Sequence, residues 1–450
     1  MTEYVTIEKR VYDGLLKRME ELEKKVEELT RRLKRYENPN TPPSKHLEDG
    51  KKVSGDSGEK EPPRYGAPLG HKGATRETPE PDRTEDVVAE HCENCGSSDI
   101  RELDGCDSKI VEEVPPPQKA QAIRYNRHNI ECMNCGHRFV SKHKDCPKQG
   151  NLGINLLGQL AVMKVDFRLP FRRIRTALHL NAFDLTPMGI NNALTRVGEA
   201  CKDEYEKIIE RMREAKWVHI DETGMKVRRA DGTKGWLWLF RSSDGDILVV
   251  ICKSRGKSVP QDILGADFKG AICVDGWCAY NGFKIIQRCW AHLLREVDAY
   301  LETKEGKSLS AEVHAIFKEL REFIDSNPSI EQRKTKKAQF DRRMKKLVMK
   351  YMAVEKLQHP VTYVKNGSGS WFTCLLYPGM EPTNNLCEQS IREHVVIRKI
   401  IGMFRSEKGS QVYQYIASLF ATWKLKGVDI YEEITSLLSK NLCLAPDPGG

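Results

Sequence analysis

The chain has 450 residues, a formal net charge of +9 and a sequence pI near 8.8, which allows two or three domains with their own cores and suits a polyanionic partner. No signal-type N-terminal stretch and no apolar run approaching about 18 residues is present, so a secreted or membrane-spanning protein is not expected, and a cytoplasmic, nucleoid-associated one is. Of 14 cysteines, several stand alone in apolar segments (Cys252, Cys273, Cys374, Cys443), which argues for buried thiols in a reducing compartment rather than a disulfide framework.

Residues 1–36 are rich in Glu, Lys, Arg and Leu. Leu15, Leu22 and Leu29 recur at a heptad spacing, with Met19, Val26 and Leu33 following at the alternate apolar position. This a/d pattern predicts a short coiled coil through which copies of the chain pair; a solvated single helix with one apolar stripe is the alternative. Residues 37–87, with NPNTPPSK and GKKVSGDSGEKEPP, read as a flexible basic linker, and RYGAPLGHKGATR within it as either linker or a strap against phosphates.

Residues 88–148 hold CENCG and CMNCG. The four thiols of Cys92, Cys95, Cys132 and Cys135 have the spacing of two knuckles around one structural Zn²⁺, each glycine allowing a tight turn that aims amides at sulfur. Cys106 and Cys146 lack such a partner. Residues 150–215 read as three short helices: GINLLGQLAVMKV, LPFRRIRTALHL opening at Pro170, and LTPMGINNALTRVGEA with Thr186 as N-cap. They suit a helix-turn-helix reader and plain helical packing equally.

From 216 to 300 the period changes. WVHID, GWLWLF, DILVVI and AICVD are strand-like, with a helical SVPQDIL before the last, and KIIQRCW leads into the helix AHLLREVDAYL. This describes an α/β fold with a mixed sheet. Trp236 and Trp238 alternate as core residues. Residues 301–375 interrupt the sheet domain with a helical insertion, whose stripes are Val313, Ile316, Phe317, Leu320, Ile324 and Phe340, Met344, Leu347, Val348, Tyr351. Residues 376–436 then return a helix beginning TNNLCEQSIREHVVIRKIIG, and 437–450 form a tail.

Asp221 ends one strand and Asp275 another, the position where α/β sheets place ligands. Either acid alone is an ordinary turn residue. With Glu388 on the later helix they make three carboxylates able to hold two Mg²⁺ (or Mn²⁺) ions about 4 Å apart. Asn384 and Asn385 are expected to cap the Glu388 helix. Arg392, Arg398, Lys399, Arg405 and Lys408 then form a basic ridge for DNA or a solvated face. Cys289 and His292 have Cys-x-x-His spacing without a second pair, so no zinc site is expected there, and His292 and Arg295 are read as orienting the core or touching phosphate. Tyr280 either stacks near the acids or packs.

The chain resembles the DDE transposases of the IS66 (TnpC-type) insertion-sequence family. The resemblance runs nearly the whole length: a zipper-like N-terminus, GHKG at 70–73, the double Cys-x-x-Cys module, LPFRR, HIDET at 219–223, VDGWCAYN at 274–281, CWAHLLRE at 289–296 and NN-x-x-E with RK downstream. It implies a ribonuclease-H-like catalytic core with Asp221, Asp275 and Glu388 as the metal-binding triad. It also implies Mg²⁺-dependent cleavage of double-stranded DNA at element ends, 3′-OH strand transfer into target DNA, and small accessory proteins of the element as partners. His71, Lys72, His292, Arg295, Arg392, Arg398 and Lys399 are the expected DNA contacts. Glu222 is read as solvent-facing or lying behind the metal ligands. The family's Pro-Gly-His is Leu69-Gly70-His71 here, and Cys387 and Gln389 flank the glutamate where Ala and Arg are common. A transposase-derived repressor without catalysis and an RNase H-like structure-specific nuclease are the alternatives.

Overall fold

The computed structural model describes residues 79–443 except 104, 144, 230 and 233, together with residues 9, 17–23 and 25–26. The chain divides into two compact units, Met1–Pro116 and Pro117–Gly450. In the first, residues 17–23 and 25–26 are helical, with Met19, Leu22 and Val26 exposed along the apolar stripe. The rest of the expected coiled coil and linker residues 37–78, with His71 and Lys72, lie outside the described residues. Described residues 79–116 contain turns but no helix or strand.

The second unit opens with a small antiparallel hairpin, β1 (Asn129–Glu131) and β2 (Arg138–Val140), with CMNCG at its turn. Helices α1 (Ile154–Ala161), α2 (Phe171–Leu178) and α3 (Pro187–Glu214) follow. Thr186 caps α3 by accepting from the Gly189 amide, as expected. The third helix is not short: α3 runs for 28 residues, because no proline interrupts it beyond its first position and its buried positions recur from Ile190 to Met212.

Five strands form the sheet: β3 (Trp217–Gly224), β4 (Trp236–Ser242), β5 (Ile247–Cys252), β6 (Ala271–Val274) and β7 (Ile286–Arg288), in the order β5-β4-β3-β6-β7. β3, β4 and β5 are an antiparallel meander; β6 and β7 run parallel to β3. Helix α4 (Ser258–Leu264) carries the chain from β5 across to β6. Then come α5 (Trp290–Asp298), α6 (Lys304–Asp325), α7 (Ile330–Tyr351), α8 (Gln358–Asn366), α9 (Asn385–Ile401), α10 (Glu407–Leu425) and α11 (Ile430–Leu442). α11 continues past 437, where a tail was expected, since Leu438 is buried within it.

The strands alternate as a two-sided sheet requires. Val218, Ile220, Trp238, Phe240, Leu248, Ile272 and Val274 share a core with α1, α3, α10 and α11. On the other face Leu237, Leu239, Val249 and Ile251 pack with Ile391 and Ile397 of α9, while Ala271 and Cys273 pack with α5 and the helices of the insertion. Both stripes of the insertion are apolar contacts in that second core, with Phe317, Ile324 and Val348 half-buried at its margin.

α10 also covers the sheet's edge. Gln414, Ser418 and Thr422, one turn apart, accept from the backbone amides of Ile251, Val249 and Ile247 at 2.8–2.9 Å. Every outward amide of β5 in that run is thereby satisfied, and the edge is closed to strand pairing. α3 comes close enough to α10 that a Cβ at Gly198 would stand 2.9 Å from Val412.

Among the described residues, no helix is long and apolar enough to cross a membrane.

Candidate active site

The parity of β3 decides which way its acid faces. Val218 and Ile220 belong to the α3 side, so His219 and Asp221 face the α5 and α9 side. In β6, Ile272 and Val274 likewise face α3, which puts Cys273 and the following Asp275 on the opposite side. The parallel register pairs His219 with Cys273. Two residues further on in the same register, Asp221 inside β3 and Asp275 just past the end of β6 stand level, roughly 5 Å apart by strand spacing. β3 runs on to Gly224, so Asp221 does not end its strand as the sequence suggested.

Glu388 reaches them because the start of α9 is pinned to β3. Asn384 is buried; its Nδ2 donates to the Ile220 carbonyl at 2.8 Å, and its Oδ1 meets His219 Nδ1 at 3.0 Å. Its backbone amide donates to Cys289 Sγ at 3.1 Å. Asn384 therefore stands at the N-cap position but does not cap α9 with its side chain, as was expected; it is spent on β3 instead. The Cys387 thiol donates to the carbonyls of Leu239 and His219 at 3.5 and 3.7 Å. These bonds fix the helical turn on which Glu388 sits, where an acid also meets the positive end of the helix dipole.

Asp221 senses the neighbouring acids. Burial, then the charges of Glu222, Glu388 and Asp275, push the Asp221 carboxyl well above the ordinary carboxylate range. Asp221 Oδ1 accepts from the Glu222 amide at 2.9 Å and Asp275 Oδ1 from the Trp277 amide at 2.8 Å. Among the described residues neither acid forms an ion pair. Glu388 has Arg295 at 3.6 Å and His292 at 4.0 Å, both on α5 and both beyond hydrogen-bond reach. Its Oε1 and His292 Nδ1 are buried, and neither finds a hydrogen-bond partner among the described residues. Cys289, His292 and Glu388 offer ligand atoms that all lie within 4.8 Å of one another. Asp221 and Asp275, without an ion-pair partner among the described residues, lie near the Cys289, His292 and Glu388 group, and together these donors suit divalent cations.

Glu222 is not solvent-facing. Its side chain is 2% exposed, accepts from Tyr280 Oη at 2.5 Å and pairs with Arg255 at 2.9 Å. The Arg255 guanidinium lies against the rings of both Trp236 and Trp277. Burial and the Asp275 charge still raise the Glu222 carboxyl above its usual range. Trp238 is buried as expected, its Nε1 donating to the Ser254 carbonyl. Nothing in the spacing of Glu222, Arg255 and Tyr280 points to their association; only Tyr280's position soon after Asp275 hints at it.

Of the expected DNA contacts, His292 and Arg295 stand at the acids. Arg392 and Lys399 are exposed on α9. Arg398 is half-buried and bonds to Thr223 Oγ1 at 3.1 Å and to the Gly224 carbonyl, tying α9 to the end of β3. Arg405 is exposed, and Lys408 pairs with Glu199 at 2.8 Å.

The two knuckles are built alike. In the first unit Cys92 donates its amide to Ser97 and accepts from the Gly96 amide, with Gly96 at φ +71°. In the second, Cys132 does the same with His137 and Gly136, the glycine at φ +70°. Only glycine adopts this turn without strain. Amides of Cys95 and Asn94, and of Cys135 and Asn134, hold the Cys92 and Cys132 thiols below the ordinary range, as a metal ligand requires.

Residues 149–412, more than half of the chain, match the Transposase IS66 family. A protein of Sinorhizobium fredii (strain NBRC 101917 / NGR234), described as uncharacterized protein y4qI, is 24% identical over 329 residues, covering 63% of this chain. The chain spans 59% of that relative's length.

Proposed function

The chain belongs to the Transposase IS66 family, and from that premise we propose that it is a DDE transposase that cuts double-stranded DNA at insertion-sequence ends and transfers the liberated 3′-OH into target DNA. The observation that carries this reading is the convergence of three acids from separate elements: Asp221 and Asp275 level on adjacent strands, and Glu388 held beside them by Asn384. The sheet order, an antiparallel meander continuing into two parallel strands, supports a ribonuclease-H-like core.

Asp221, Asp275 and Glu388 are the residues that would hold Mg²⁺ or Mn²⁺. Bound there, such ions supply activation of an attacking oxygen and neutralisation of the leaving one in an in-line displacement at phosphorus. The protein's own part is positional. Asn384 and Cys387 hold the glutamate, Arg255 and Tyr280 hold Glu222 behind the acids, and Arg295 faces Glu388 from α5 where a phosphate would lie. In cleavage, water attacks the phosphorus and the 3′-oxygen leaves; in transfer, that 3′-OH attacks the phosphorus of a target phosphodiester, whose own 3′-oxygen leaves.

Arg392 and Lys399 extend a cationic surface along α9 for backbone contacts. The Cys92 and Cys132 thiols, each held low within its own knuckle, support binding of structural Zn²⁺, and the exposed Met19, Leu22 and Val26 support pairing of copies through the N-terminal helix. The test is incubation of the protein with DNA carrying the element ends and Mg²⁺, comparing wild type with Glu388→Gln. Wild type should nick at the ends and the variant should not, while binding of the same DNA persists. Equal cutting by the variant would remove Glu388 from the chemistry. Binding without cutting by wild type would favour the repressor reading, and cutting at branched DNA irrespective of ends the nuclease reading.

A further inference from the structure

We infer that His292 is a metal ligand: its Nδ1 and Glu388 Oε1 share one divalent ion, so the site takes a nitrogen-accepting ion such as Mn²⁺ in preference to Mg²⁺. This rests on the reading of Asp221, Asp275 and Glu388 as a metal site and adds a residue that the spacing of Cys289 and His292 gave no reason to place there.

Two orphaned atoms carry the inference. His292 Nδ1 and Glu388 Oε1 are both buried, both without a hydrogen-bond partner among the described residues, and they face each other at 4.0 Å. Left as they are, each forfeits the hydrogen bonds it had in water, Glu388 Oε1 keeping only the Arg295 guanidinium at 3.6 Å. They stand too far apart to satisfy one another. Two ligands each about 2.1 Å from a common ion lie roughly 3–4.2 Å apart, depending on the angle between them. The observed gap falls inside that interval, so a cation fits between these atoms with little movement.

The surroundings are set for it. Cys289 Sγ completes the group of donors within 4.8 Å, and its bond from the Asn384 amide locks the start of α5 to the start of α9. The His292–Glu388 pair is thereby held from both helices. For Nδ1 to present its lone pair, the ring proton must sit on Nε2. Arg295 Nη2 approaches that atom at 3.5 Å, the long limit of a hydrogen bond, and costs little to turn away. Imidazole is a poorer partner than carboxylate or water for Mg²⁺ and a good one for transition ions, which is why a nitrogen ligand shifts the preference.

The experiment is electron spin-echo spectroscopy of Mn²⁺ bound to the full chain, with Mn²⁺ affinity measured by titration, for wild type, His292→Ala and His292→Asp. Wild type should show imidazole ¹⁴N modulation. His292→Ala should lose it and bind Mn²⁺ about tenfold or more weakly. His292→Asp should restore binding without ¹⁴N modulation and shift the preference toward Mg²⁺, which separates lost ligation from lost folding. If Mn²⁺ binds to wild type without ¹⁴N modulation, the inference fails and the carboxylate site stands. If the modulation persists in His292→Ala, the nitrogen comes from elsewhere, His219 Nε2 being the other buried orphan imidazole nitrogen among the described residues, and the inference again fails. If no Mn²⁺ binds, the inference and the carboxylate reading fall together.

Discussion

Replacing Asp221 with asparagine should stabilise the metal-free protein while abolishing cleavage. The Asp221 carboxyl is raised by burial and by three neighbouring carboxylates, so folding at pH 7 must either protonate it or tolerate the repulsion. Protonation costs at most about 1.4 kcal/mol for each pH unit between the ordinary value near 3.9 and pH 7, roughly 4 kcal/mol. Repulsion between two ionised acids about 5 Å apart, at an effective dielectric near 20, is roughly 3 kcal/mol. Asparagine is nearly isosteric, carries no charge, and can keep the bond that Oδ1 accepts from the Glu222 amide. A gain of about 1–4 kcal/mol is expected, an upward Tm shift of roughly 2–8 °C by calorimetry in EDTA. The sign follows from a folded-state pKa above the unfolded one: the handicap of wild type is absent below about pH 4 and grows as pH rises, so the two proteins should converge in acid. Excess Mn²⁺ should raise the wild-type Tm and leave the variant nearly unmoved. A variant less stable than wild type in EDTA at pH 7 would refute the electrostatic account of the site.

Acid should destabilise the fold through two histidines. Burial depresses His219 and His394 to about 4, so the unfolded chain takes up their protons first. Their stability is complete above about pH 6.5, falls by about 1.4 kcal/mol per unit for each as pH drops to about 4, and is level below, about 7 kcal/mol in all. Urea midpoints against pH should show this slope and a flatter one in His219→Gln and His394→Gln; unchanged slopes in both would exclude these groups. For the knuckles, metal analysis should find about one Zn²⁺ per chain, lost in the Cys92→Ser, Cys95→Ser double variant. Full zinc content after that change would eliminate the first knuckle as a ligand pair.

Much of this architecture is visible in the residues. The switch to β-rich runs at Trp217, the aspartate following the apolar run of β6 and the apolar stripes of the insertion are local signals, and local signals survive folding. Asp221 only looked like a strand end, because Glu222, Thr223 and Gly224 go on pairing with β4. The length of α3 was not legible, because its continuation beyond Ala200 is charged and amphipathic and reads as an ending. Asn384 misled for a different reason. An asparagine before a helix is ordinarily a cap, but here a strand far away in sequence offers the Ile220 carbonyl and His219, and a buried polar side chain goes where its bonds can be made. Glu222 likewise looks exposed beside Asp221 until Arg255 and Tyr280 arrive from other elements. His292 carried a recognisable spacing, yet no second Cys-x-x-His pair; the atom that faces it is Glu388 Oε1, which only the packing of α5 against α9 brings there.

Asp221, Asp275 and Glu388 are expected to gather around divalent ions. The decisive measurement is anomalous diffraction at the manganese edge from crystals grown with Mn²⁺. Anomalous peaks should lie in contact with all three carboxylates and be reduced or absent in Asp221→Asn. Manganese bound elsewhere, with the Asp221 and Asp275 carboxylates free of it, would contradict that expectation.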